Sequence, residues 1–73
     1  MFNNHDIVII DKKSVGRIVG EGIGYMTVET RNWIDMIETS GLQKTDYSMN
    51  TAEGRAWYYD NRDDLNPYYI IQI

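Results

Sequence analysis

Four of the chain's six glycines fall within the nine positions 16–24 of the stretch GRIVGEGIGYMTVET, and they run straight into a strand-like segment. A phosphate-binding loop requires the reverse. Its glycines lead into a helix, whose unpaired N–H groups hold the anion. Here they lead into Tyr25-Met26-Thr27-Val28-Glu29-Thr30, an alternating run rich in aromatic and β-branched residues. Gly20, Gly22 and Gly24 make G-x-G-x-G rather than G-x-G-x-x-G, and no Gly-Lys-Ser/Thr follows. Gly22 and Gly24 can take positive φ without steric penalty, as a tight hairpin demands. The stretch reads as a turn between strands.

The whole chain has 73 residues, enough for one domain that buries about 60% of its unfolded surface. It has no cysteine, which excludes disulfides and thiolate metal sites and fits a reducing compartment. It has neither a basic-then-apolar leader nor a long apolar segment, so a cytoplasmic product, complete as it stands and without a membrane span, is expected.

The net charge of −4 is unevenly placed. Residues 1–31 carry four acids and four bases, whereas residues 32–73 carry seven acids against Lys44, Arg55 and Arg62. Phosphate backbones are repelled by that second part, which disfavours free nucleic acid as the main partner. A basic protein surface suits it better, although acids also serve simple solubility.

The pattern predicts five strands and one helix in a single domain, 1–73. DIVIID (6–11) is a buried strand, Lys12-Lys13-Ser14 a turn, Val15 to Gly20 a second strand and Tyr25 to Thr30 a third with Met26 and Val28 facing the core. NWIDMIETSGL (32–42) carries helix signals: Asn32 as N-cap, Asp35 in the first turn, Trp33, Ile34 and Ile37 on one face, and Gly41 then Leu42 at the C-terminus. Residues 43–54 read as a loop with at most one helical turn. RAWYYD (55–60) and PYYIIQI (67–73) read as strands joined by NRDDLN, with Pro67 at a strand's first position. So many short strands in so few residues imply an α+β fold built on a strongly bent antiparallel sheet or small barrel.

Within residues 6–30, Gly16, Ile18 and Val28-Glu29 resemble the glycine-then-β-branched strand, hairpin and closing strand of SH3-like barrels of the KOW or Tudor kind. The segment is neutral where RNA-holding KOW modules are basic.

Catalytic signals are sparse. His5 is the only histidine and stands near a terminus without a serine or cysteine motif. Asp63 and Asp64 are neighbours on an expected loop and cannot flank a bond as a glycosidase pair does. No catalytic residue, cofactor or metal site is expected, and the chain reads as a non-enzyme. The aromatics say more. Trp57, Tyr58, Tyr59, Tyr68 and Tyr69 crowd the last quarter. On a strand, Arg55, Trp57 and Tyr59 would share one face, and Asp60, Arg62, Asp63, Asp64 and Tyr68 would extend it into a partner-binding surface. The same rings could equally fill a core.

Two classes follow: a small protein-binding regulator, or a nucleic-acid-binding SH3-like or OB-like module that stacks bases on its aromatics. The lack of a basic stripe favours the first. A small, acidic, cysteine-free chain of this kind resembles phage-encoded host-takeover regulators that bind bacterial RNA polymerase. That resemblance implies contact with the β flap and the β′ N-terminal region, displacement of σ from promoter recognition and, as a further effect, antitermination; the chain itself is expected to be a monomer. Phage inhibitors of CRISPR nucleases share the same general character.

Overall fold

A computed structural model of the protein describes residues 1–62. Among these residues five antiparallel strands form one sheet in the order β4-β3-β2-β1-β5, and one α-helix packs on it. The strands are β1 (Asp6–Ile10), β2 (Ser14–Glu21), β3 (Tyr25–Glu29), β4 (Ile34–Glu38) and β5 (Leu42–Ser48), followed by helix α1 (Ala52–Asn61). This is the small α+β architecture expected.

The sheet must be strongly bent, and the reason lies in one connection. β4 and β5 stand at opposite ends of the strand order, yet only the 3-10 turn Thr39–Gly41 separates them. Four residue steps reach about 14 Å when fully extended. A flat sheet would hold its first and fifth strands about 19 Å apart. The turn is also tied to both sides: the Thr39 N–H donates to the Gly24 carbonyl (3.1 Å) and the Asp11 N–H to the Gly41 carbonyl (3.1 Å).

Bending creates two packed regions. Val8, Ile10, Ile18, Met26 and Val28 fill the concave side, with Phe2, Ile37 and Leu42 closing over them. On the convex side Ile7, Ile9 and Val15 meet Met49 and Tyr58, so α1 covers β1 and its neighbours there. Gly16 is needed on the inner side, because a Cβ would press into Val28 and Ile10. The core assignments of Met26 and Val28 hold.

The two predicted hairpins form at the expected places. Ile18 pairs with Val28 across the glycine turn, and Gly24 alone among the described glycines has positive φ, at 79°. Gly22 lacks it. The β1–β2 turn is less comfortable. Asp11 and Lys12 both have positive φ (50° and 61°), as in mirror-image hairpin turns, and the Lys13 N–H donates to the Ile10 carbonyl. Glycine holds that conformation without the penalty of a Cβ, so Lys12→Gly should raise stability by about 1 kcal/mol. The check is a higher denaturation midpoint at unchanged m-value.

Three expectations between residues 32 and 60 are corrected. The predicted helix 32–42 is strand β4 followed by the 3-10 turn. Thr30 causes this locally: its Oγ1 accepts from the Asn32 and Trp33 N–H groups, and its own N–H donates to the Trp33 carbonyl, turning the chain back along β3. A two-turn helix is marginal against a full ladder on an existing strand. The predicted loop 43–54 contains β5, which pairs with the free side of β1; Thr45 is buried there and donates to the Ile7 carbonyl (2.6 Å). Finally, RAWYYD lies inside α1 rather than in a strand. Thr51 caps the helix by accepting from the Gly54 N–H (2.9 Å), with Glu53 in the first turn. The predicted strand 67–73 lies outside the described residues.

Candidate protein-interaction surface

Helical geometry redistributes the residues expected to share one strand face. At 3.6 residues per turn, Gly54 and Tyr58 fall on the buried side of α1 while Arg55 and Tyr59 point outward together. Trp57 belongs to neither group. It is half-buried and stacks on Tyr47, ring centroids 4.8 Å apart and planes 10° from parallel. The face once expected to join Arg55, Trp57 and Tyr59 does not exist, because a period of two became a period of 3.6. Arg55 reaches back with Nη1 to donate to the Met49 carbonyl (2.9 Å), and Arg62 lies 4.7 Å over the exposed Tyr59 ring. Asp60 is exposed. Asp63, Asp64 and Tyr68 lie outside the described residues.

Tyr58 is core. Its hydroxyl donates to the Glu29 carbonyl (3.3 Å), tying α1 to the end of β3. Burial pushes its phenol above the usual range near 10, against an opposing pull from Arg17. Arg17 is itself held by Glu29 across the β2–β3 pair, Nε to Oε1 at 2.6 Å.

The convex side continues beyond the helix. Strand register places Arg17, Glu29, Ile34, Thr27, Met36, Tyr25 and Glu38 on the same side as Ile7 and Val15. α1 covers only the β1 end of that face. Among the described residues nothing covers it over β3 and β4, and Ile34 and Met36 are 61% and 63% exposed, with Tyr25 at 43%. Large apolar side chains adjacent on one open sheet face are a recognised mark of an interaction site. The charged side chains of β4 itself are acidic: Glu38 on the same face, and Asp35 on the opposite side, exposed at its rim; Arg17, also on this face, is paired with Glu29. Reasoning from sequence missed this patch, since it read Ile34 and Ile37 as one helical face. IDMIE is too short, and its Met36-Ile37 step too irregular, for its periodicity to have revealed it.

Other features offer little chemistry. A shallow depression of about 370 Å³ lies between the β1–β2 turn and the 3-10 turn, lined by Ile9, Asp11, Lys12 and residues 40–43. Asp11, Lys12 and Ser40 are all exposed there, and no nucleophile–base pair lines it. Among the described residues no three His, Cys, Asp or Glu side chains converge on a possible metal position, and no helix is long and apolar enough to cross a membrane. No protein-family model, curated protein or solved structure matches the chain.

Proposed function

We propose that this chain is a small, monomeric protein-binding regulator that meets its partner through the open β3–β4 face. The observation that carries this reading is the pair Ile34 and Met36, exposed side by side on a sheet face whose other half is sealed by α1. Solvating such a patch is unfavourable, and a partner that covers it recovers that apolar area. The acidic frame of Asp35 and Glu38 selects for a basic partner surface and against phosphate backbones. Tyr59, with the Arg62 guanidinium over its ring on the outer side of α1, supplies a second contact of the residue types that dominate hot spots.

Within this class, the resemblance to phage regulators makes bacterial RNA polymerase the partner to test first. On that reading, binding stabilises a polymerase conformation incompatible with σ at the promoter and blocks initiation, with antitermination as a further effect. Purified polymerase should retain the parent chain. A folded Ile34→Lys, Met36→Lys double variant should bind at least about tenfold more weakly, given that central hot-spot residues are each worth roughly 2 kcal/mol or more. Tyr59→Ala should cost less. Each variant is first shown folded by its thermal transition. Absence of binding by the parent removes polymerase, and affinity capture from a bacterial lysate then identifies the alternative.

A further inference from the structure

The open face ends at an open edge, and the hydrogen-bond phase of that edge can be read. β4 is the outermost strand on its side of the sheet, paired only with β3 among the described residues. In the turn before it, the Thr30 N–H donates to the Trp33 carbonyl (2.8 Å), and past its end the Thr39 N–H donates to the Gly24 carbonyl (3.1 Å). Antiparallel pairs alternate between hydrogen-bonded and non-hydrogen-bonded. With the pairs 30/33 and 24/39 bonded, Val28/Asp35 and Met26/Ile37 are bonded as well. Ile34, Met36 and Glu38 therefore occupy the other positions, and their backbone N–H and C=O groups point away from the sheet. These are the residues whose side chains stand on the open convex face.

The edge carries its own stopper. The Met36 N–H, central among the three, donates to Oδ1 of Asp35 at 2.8 Å. A charged side chain on the inward side of an edge strand is a common guard against unwanted pairing. This guard can be exchanged. An incoming carbonyl can accept from Met36 in place of the carboxylate, which then becomes free to pair with a cation on the incoming chain.

We propose that β4 is a strand-addition site for an extended partner segment that alternates apolar and basic residues. This rests on the protein-binding reading above and specifies its mode. Period two sends alternate side chains of the added strand to opposite faces. Those on the convex side meet Ile34 and Met36, which wants apolar residues there. Those on the other side meet the rim at Asp35, which wants lysine or arginine.

The test uses the full chain, isotopically labelled, with a capped eight-residue peptide of alternating valine and lysine. Amide exchange at Ile34, Met36 and Glu38 should slow at least about tenfold at saturation, with amides on the far edge β5 unaffected. Asp35→Asn keeps an oxygen for the Met36 N–H but removes the charge. It should weaken peptide binding several-fold and flatten its salt dependence, which a purely structural role would not do. The proposal is overturned if the peptide leaves β4 exchange unchanged, or if an alternating valine and glutamate peptide binds equally well. It is also overturned if the Ile34 and Glu38 amides are already protected in the dilute protein alone, since the edge is then occupied. Protection that appears only with rising protein concentration overturns it in favour of a second copy. The two readings separate cleanly: peptide protection without polymerase binding retains the edge and removes polymerase, whereas polymerase binding that leaves β4 exchange unchanged removes the edge.

Discussion

Replacing Gly54 by alanine should lower the stability of the fold by about 2–3 kcal/mol, although alanine is the better helix former by about 1 kcal/mol. The cause is a backbone contact. A Cβ at residue 54 would overlap the Ser48 carbonyl at the end of β5, and neither backbone can rotate aside. To admit the methyl, α1 must lift, and lifting it loosens Tyr58 and Met49 from Ile7, Ile9 and Val15. For a domain of this size the melting temperature should fall by roughly 10–20 °C. Ala56, exposed on the same helix, is the control: Ala56→Gly should cost only about 1 kcal/mol. A thermally neutral or stabilised Gly54→Ala would mean that α1 does not sit against β5 as described.

Tyr58→Ala should be more severe still. Removing a fully buried aromatic leaves a cavity at the centre of the convex core and costs about 3–5 kcal/mol. That is comparable to the whole stability of a chain this small, so the variant should be largely unfolded at room temperature. Tyr58→Phe keeps the ring and loses only the bond to the Glu29 carbonyl, at about 1 kcal/mol. It also carries a pH signature. Burial raises the folded-state pKa of Tyr58 above its unfolded value near 10, so the neutral phenol is favoured by folding. The stability linked to it is complete below about pH 10 and is lost as pH climbs towards the raised folded value. Denaturation midpoints measured from pH 8 upward should therefore converge for parent and Tyr58→Phe. Parallel curves would show that the phenol is not buried in the folded state.

These two residues also mark where sequence reasoning reached its limit. By sequence Tyr58 fits a core or a partner surface equally, and the helix decides between them by placing it one turn after Gly54, both against the sheet. Trp57 and Tyr59, adjacent to it in sequence, then diverged: one stacked on Tyr47, the other outward under Arg62. The candidate site was only partly legible. Arg55, Tyr59 and Asp60 are exposed on α1, and Ile34 and Met36, whose segment carries helix signals, stand on strand β4 instead.

What the amino-acid sequence determined by itself is the first half of the fold. Glycines spaced for a turn, the apolar run IVII and the alternating YMTVE are local signals, and β1 to β3 pair through short hairpins between neighbours in the chain. Tertiary structure decided residues 32–61. IDMIE, LQKTDYS and RAWYY are each too short for periodicity to separate helix from strand, so what they could pack against settled each one. β4 followed the free side of β3, β5 filled the second side of β1, and α1 formed where a helix sets Gly54 against the Ser48 backbone and Tyr58, one turn on, in the convex core. The bend, too, belongs to the tertiary level, since a three-residue link between the outermost strands can close only if the sheet between them curls.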